Sequence, residues 1–420
     1  MQKKDTKKIA TSDVAIIGAG PAGMIAAGTA AQLGLNVVLI EKNAKPGQKL
    51  LLTGNGRCNL TNAEFNLKEL VKNYNNGEFL FHVFSVFGPK ETINFFEKLG
   101  VKTKIERNKR VFPMGDNAED VLDALVKFLA DNKVKTIFNS EIIDVDFKNK
   151  KINKLVLKNG EIKAKKYILA TGGKSYPETG SNGIGYKLAE KLGHTTISPS
   201  PALAPIKIKE DFIKNLQGIS LRNIKLNVLL NGKKQFSEEG EILFTHFGIT
   251  GPAVLNISAA VQDLLKNQET KIQIDFFPLL DQEEVLEEFE ELLKRFTRKT
   301  IKNILSEFLP VKLSEVFLDA LKIDKEKIGN NLSKIEKIVI TKNLKNFELT
   351  PENVLGWEQA MVTRGGIFLK EIDHKTMKSK IIKNLFFAGE IIDVDGKTGG
   401  FNLQMCWSTG YTAGSCILKK

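Results

Sequence analysis

Three kinds of residue in this chain are placed to do chemistry. Two carboxylates, Glu41 and Glu390, each follow an apolar run, Val37-Val-Leu-Ile40 and Leu385-Phe-Phe-Ala388. An acid at the end of a strand can accept hydrogen bonds from sugar-like hydroxyls. Cations follow the first acid, at Lys42, Lys49 and Arg57, where they could face phosphate. Cys58, Tyr176 and His246 are candidate proton donors, and a donor is what an addition of hydride to carbon requires beside it. The cysteines, Cys58, Cys406 and Cys416, are too few and too scattered for a zinc site or a disulfide framework, so no metal is expected.

The elements around Glu41 read as strand, glycine turn, helix, strand, acid. Val14-Ala-Ile-Ile17 precedes Gly18-Ala19-Gly20-Pro21-Ala22-Gly23, a helical run continues to Leu33, and Val37–Ile40 delivers Glu41. That order is a nucleotide-binding βαβ unit. Gly18 permits the tight turn, Gly20 the approach of a pyrophosphate, and Gly23 close packing of helix on strand. The helix N-terminus offers N–H groups and a positive dipole end to phosphate. Glu41 lies 18 residues past Gly23, where it would accept from an adenosine ribose and repel a 2′-phosphate.

The loop Lys42 to Lys49 and the stretch Leu50-Leu-Leu-Thr53-Gly-Asn-Gly-Arg57-Cys58-Asn59 are expected to complete a phosphate pocket with exposed backbone N–H groups and positive charge. Helical spacing covers Lys90 to Leu99 and Glu119 to Ala130, with a hairpin over Val101 to Phe112 between them. Strands are expected over Thr136 to Phe147, which brings Ile142 to the cofactor, and over Lys154 to Leu157. Tyr167 to Gly173 is a buried strand that presents Ala170-Thr171-Gly172 to the nucleotide. Ser181 to Gly185 also opens a helix, but no strand leads directly into it and no acid closes a following strand. One nucleotide fold is therefore expected.

The second cofactor contact is C-terminal: Gly389 and Glu390 at a strand end, then Gly399-Gly400-Phe401-Asn402-Leu403 opening a helix of small residues. Two contacts this far apart in sequence suit one long dinucleotide, and FAD is the cofactor expected. The first site takes the ADP half. Glu390 takes ribityl hydroxyls, and the helix beginning near Gly400 points its dipole at the flavin pyrimidine, which stabilises anionic reduced flavin.

Between the two contacts the pattern changes at Ser198-Pro-Ser-Pro201. Residues 1–198 and 368–420 are expected to form the FAD domain. A β-rich domain over 199–280 contains a hairpin at Asn231-Gly232 and a helix entered at Thr250, as cap, and Pro252. A helical subdomain fills 281–345, and 346–367 returns to the β-rich domain.

Composition bounds the rest. The 420 residues are 42% hydrophobic and 26% charged, with a formal net charge of +13. No run is long and apolar enough for a spanning helix, so no membrane partner is expected. The polar, lysine-rich N-terminus through Ser12 does not read as a secretory signal, and the sparse cysteines fit the cytoplasm. The positive charge fits a polyanionic partner such as RNA and equally a general drift toward lysine.

Taken together, the Gly18–Gly23 turn, Thr53-Gly-Asn-Gly-Arg-Cys-Asn59, Ala170–Gly173 with Pro177–Gly180, Thr245–Pro252, and Ala388–Glu390 with Gly399–Gln404 resemble the BaiN/RdsA-type flavoprotein family, often labelled aminoacetone-oxidase-like. The resemblance covers nearly the whole chain. It implies a Rossmann-type α/β FAD domain of glutathione-reductase kind, interrupted by a β-barrel-like domain with a small helical insert. It also implies FAD-dependent redox chemistry, with the loop at Arg57, Cys58 and Asn59 near the cofactor. Members have been linked to reduction of a steroid C=C bond, oxidation of aminoacetone, and reduction of a uridine of large-subunit ribosomal RNA. The expected activity is hydride transfer from NAD(P)H through flavin to an activated C=C bond, with ribosomal RNA the first candidate substrate and partner. The alternatives are another small enone, an amine oxidase, or a flavin-loaded RNA-binding protein without turnover.

Overall fold

The computed structural model describes residues 11–266 and 269–419, so most of the N-terminal stretch read above lies outside the described residues. The chain divides into two compact units. One runs to Pro201 and resumes at Met361; the other is Ala202–Ala360.

The first unit is built on a five-stranded parallel sheet. Its strands are β1 (Ser12–Ile17), β2 (Val37–Ile40), β3 (Lys135–Ile137), β4 (Ala164–Leu169) and β6 (Leu385–Phe387), in the order β6-β4-β1-β2-β3. Val14 to Ile17 and all of β2 are buried, the continuous apolar run of a parallel strand covered on both faces. Because every pairing is parallel, Ile17, Ile40, Leu169 and Phe387 all end at one edge. The residues that follow them, Gly18, Glu41, Ala170 and Ala388, are thereby brought together from positions far apart in the chain.

Two helices fix that edge. α1 (Pro21–Gln32) is buried from Ala22 to Ala30, and α4 (Phe401–Ser415) is buried along most of its length. They lie against each other through small residues. A Cβ at Gly410 would come within 2.4 Å of Ala22 O, and one at Gly414 within 2.6 Å of Ala26 O. The stretch expected as one strand over Thr136 to Phe147 is two: β3 stops at Ile137, Asn139 turns with φ +52°, and Ile142–Lys148 starts a separate antiparallel sheet with Lys151–Leu157 and Gly160–Ile162. The stretch Ser198 to Pro201, expected as a domain crossing, ends where the first unit gives way to the second, and it lies inside the strand Thr196–Ala202, which pairs with β5 (Val362–Ile367). A two-stranded ribbon is all edge, which is where proline is tolerated.

The second unit holds a seven-stranded sheet. Its order is Phe347–Leu349, Thr270–Asp275, Ser220–Leu230, Lys233–Phe244, Gly248–Thr250, Ile206–Ile208 and Pro351–Val354. The Asn231-Gly232 hairpin forms as expected, with φ of +49° and +75°. Only Thr350 separates the two outermost strands, so the sheet must curl until its edges approach. Lys271 Nζ donates to Thr350 Oγ1 at 2.8 Å and helps hold this junction. The helix α3 (Pro252–Leu264) begins with proline as expected, but Gly251 (φ +101°) is its N-cap and Thr250 ends the preceding strand. Four further α-helices and one short 3-10 helix lie between Gln282 and Lys345. Of the 346–367 stretch, β5 belongs to the first unit and the two shorter strands to the second.

The α1–α4 contact makes a prediction whose sign runs against helix propensity. Exchanging Gly410 for Ala would favour an isolated helix by about 1 kcal/mol. Here the added methyl meets backbone, and overpacking of this kind costs about 1–3 kcal/mol. Gly410→Ala should therefore lower the thermal midpoint, by about 2–4 °C for each kcal/mol, as calorimetry would show.

Candidate cofactor site

A cavity opens at the strand-end edge of the first unit. It comprises about 1220 Å3 of space, the open solvent at its mouth included. At one end lies the glycine turn. Gly18 has φ +101°, and a Cβ there would sit 2.5 Å from Ala170 O. A Cβ at Gly20 would meet nothing within 4 Å, so backbone is presented to open space. No side chain caps α1, so its N-terminus faces the cavity at Gly20 and Pro21, as phosphate binding requires. Glu41, 8% exposed, accepts from Ala19 N (2.8 Å) and Asn43 N (2.9 Å). It braces the turn as well as lining the wall. Lys42, Ile142, Ala170, Thr171 and Gly172 line the same end.

The middle of the wall is held by a polar knot. α2 (Gln48–Leu52) carries Lys49, whose ammonium donates to Glu390 Oε2 at 2.8 Å and to Ser175 Oγ at 2.6 Å. The other carboxylate oxygen of Glu390 accepts from Thr363 N (2.7 Å) and Ser175 Oγ (3.0 Å). Thr363 Oγ1 in turn accepts from Lys174 N and Ser175 N at 2.8 and 3.2 Å. Lys49 was expected to meet phosphate. Instead it is the counter-charge of an acid 341 residues away, with side chains 21% and 11% exposed. A carboxylate so little hydrated needs its cation, since removing one partner of such a pair leaves an unpaired buried charge.

The far end is formed by Gly389, Asn402 and Leu403, with Met405 and Cys406 behind them. Asn402 folds back to accept from Gly396 N (2.8 Å) and donate to Gly396 O (2.7 Å), which fixes the entry to α4. Gly400, φ +97°, packs on Thr61, where a Cβ would fall 2.3 Å from the carbonyl oxygen.

Six expected contacts do not line the cavity. Gly23 is packed under the turn, with Gly18 O only 1.8 Å from where its Cβ would be. Phe401 faces Tyr74, which donates to its carbonyl at 2.8 Å. Asn59 works on backbone: with its amide turned to suit its neighbours it donates to Thr61 O (3.1 Å) and accepts from Gly400 N (3.0 Å). Gly400 holds the helix start from below the wall. Arg57 points outward, paired with Glu106 and Asp116 and laid over Phe112 at 4.1 Å, so its charge is already compensated. Cys58 is wholly buried in the core, and burial pushes its thiol up to about 12. It does not line the cavity, which corrects the expectation that it donates a proton there. Thr53 is the part of that loop on the wall.

Tyr176, at φ +52°, lies near the knot, with Lys49 Nζ 6.0 Å from its ring centre and its phenol raised by burial and then by Glu178. His246 is exposed in the second unit. Cys406 also reaches the wall. Ser175 and Thr363, essential to the knot, were missed, because a lone hydroxyl residue gives no spacing signal. The wall also carries an unmet need: Thr171 Oγ1 is enclosed without a hydrogen-bond partner, a cost relieved only by a ligand or water. An open glycine turn, an uncapped helix end, an acid at one end with a second in the middle of the wall, and this orphan hydroxyl fit FAD. Among the described residues, no group of three or more metal-ligating side chains occurs, and no helix is long and apolar enough to cross a membrane.

The loop after Glu390 also carries Asp393 and Asp395, each raised to about 6, by burial first. Both lie above their unfolded-chain value, so stability linked to them is present at low pH and lost as pH rises through about 6. Asp395→Asn should therefore unfold at higher temperature than the wild type near about pH 8, and show no such gain below about pH 4. Thermal melts across that range check it.

The HI0933-like protein Rossmann domain family matches residues 12–416. The chain is 32% identical over 411 residues to a 3-dehydro-bile acid delta(4,6)-reductase of Clostridium scindens, covering 97% of this chain and 99% of that one. It is 31% identical over 414 residues to a ribosomal RNA dihydrouridine synthase of Haemophilus influenzae, with the same two coverages. In fold it is similar to a 3-ketosteroid-delta4-(5alpha)-dehydrogenase from Rhodococcus jostii RHA1, with TM-score 0.53 and 15% identity over 99% of this chain and 98% of that one. The chain thus belongs to the HI0933-like Rossmann family, the BaiN/RdsA-type FAD-dependent oxidoreductases that its motifs resemble.

Proposed function

We propose that this oxidoreductase adds hydride and a proton across a polarised carbon–carbon double bond, with NAD(P)H as the two-electron donor and a uridine of large-subunit ribosomal RNA as acceptor, giving dihydrouridine. The observation that carries this reading is the end-to-end match to the Haemophilus influenzae relative of that name. The net charge of +13 sides with a polyanionic substrate. A second reading, reduction of a small enone, is favoured by the equally extended match to the Clostridium scindens reductase. The two readings share one bond change and differ in what delivers the bond.

FAD, when bound, supplies the hydride chemistry; the residues bind, orient and protonate. In this reading the Gly18–Gly23 turn and the start of α1 hold the pyrophosphate, and Glu41 holds the ribose. Lys42, Ile142 and Ala170 to Gly172 enclose the ADP half. Glu390, oriented by Lys49, Ser175 and the Thr363 N–H, takes hydroxyls of the linking chain. Asn402 and Leu403 open α4 toward the pyrimidine, where the helix dipole favours developing negative charge. For the proton, Tyr176 is the first candidate: burial keeps its phenol protonated, as an acid must be.

Glu390→Gln and Lys49→Met should each weaken FAD binding by about tenfold or more, roughly 1.4 kcal/mol, in a fluorescence titration of the apoprotein. NADPH added without air should bleach the flavin of the wild type. In cells lacking this protein, dihydrouridine should vanish from one position of large-subunit ribosomal RNA and return with the wild-type chain. Dihydrouridine unchanged by the deletion would remove the RNA substrate and leave the small enone.

A further inference from the structure

The cavity occupies one edge of the parallel sheet, and the opposite edge carries lysines. Asn384, 3% exposed, is the reason they converge. Its side chain accepts from Ile152 N at 2.9 Å and donates to Ile152 O at 3.0 Å and Lys165 O at 3.3 Å. Its own carbonyl accepts from Tyr167 N at 2.8 Å, and next to it Lys383 N donates to Lys150 O at 2.9 Å. Lys378 joins through an antiparallel bridge to Phe386. One buried amide therefore draws together Lys150, Lys151, Lys165, Lys166 and Lys383, with Lys378 alongside.

The charge there is nearly uncompensated. Asp13 pairs with Lys165 at 2.7 Å, and among the described residues the other five lysines have no carboxylate partner. Burial first, then the charges of Lys378 and Lys151, hold the Lys166 ammonium below its ordinary value, which places these groups within mutual repulsion. Like charges gathered by a fixed backbone, with Asp13 the one acid paired among them, form a site for an anion that is itself repetitive.

We propose that this lysine surface docks the phosphodiester backbone of RNA, at phosphates remote from the reacting base. The proposal rests on the RNA reading of the cavity. Lysine is a compact charge on a flexible stem, suited to phosphate contacts that position a nucleic acid without reading its sequence. Protein–protein interfaces, by contrast, are depleted in lysine and enriched in arginine and aromatic residues, and this cluster contains no arginine. Along β4, Lys166 and Ala170 are four residues apart, about 13 Å at 3.3 Å per residue. A ligand reaching both edges of the sheet is a polymer, not a nucleoside.

The test is the FAD-loaded full-length protein carrying Lys150→Gln, Lys151→Gln, Lys378→Gln and Lys383→Gln together, bound to fluorescent poly(U) over a range of salt. Four lost phosphate contacts at about 0.7 each should flatten the slope of log affinity against log salt by about 3, and weaken binding at least tenfold near about 0.1 M salt. Flavin content and melting temperature should stay at wild-type values and report a folded variant. An unchanged slope overturns the proposal. So does a variant that loses polyglutamate or phosphatidylserine vesicles as much as poly(U), because the surface would then be generically cationic. Mapping dihydrouridine in the deletion strain separates the two claims: lost poly(U) binding with unaltered dihydrouridine keeps the surface and removes the uridine, whereas the converse keeps the uridine and removes the surface.

Discussion

The ion pair between Lys49 and Glu390 is the constraint on which the site depends. It joins a short helix near the start of the chain to the loop after its last strand, 2.8 Å apart and 341 residues distant. Ser175 and Thr363 bring a third and a fourth segment to the same carboxylate. Every group in the knot is satisfied by another, so the parts cannot be moved singly: a buried acid without its cation, or a cation without its acid, costs several kcal/mol. The wall is positioned by this mutual requirement more than by any one strand.

The remaining geometry follows from the sheet. Parallel strands end at a common edge, so whatever residue follows each strand is delivered there with no further device. That is why the Gly18 turn, Glu41, Ala170 and Glu390 share one cavity even though no short motif contains them all. α1 and α4 then close on each other through glycines, and their N-termini are left at the cavity ends.

Much of this was legible in the sequence, and for identifiable reasons. The βαβ unit announces itself because turn, helix and acid must fall at fixed offsets, and the C-terminal strand and glycine helix follow the same rule. Side-chain direction was less legible. Arg57 and Cys58 sit in the most distinctive stretch of the chain, yet one faces two surface acids and the other faces the core. Gly54, Asn55, Gly56 and Cys58 all adopt positive φ, and a backbone that reverses so often sends neighbouring side chains in unrelated directions. Lys49 was read by its charge alone, and charge does not name its partner. Ser175 and Thr363 act singly through hydroxyl and amide groups, and no period or spacing marks such residues. The cap at Gly251 was misassigned to Thr250 because a strand ran one residue further than its composition implied.

The α1–α4 contact has a consequence for how the molecule is made. α1 ends at Gln32, yet the helix that covers it begins only at Phe401. Until that helix has been synthesised, the apolar surface of α1 lacks its native cover and β4 lacks its β6 neighbour. An intermediate of this kind is prone to aggregate, and the nucleotide cradle cannot be completed before α4 has emerged.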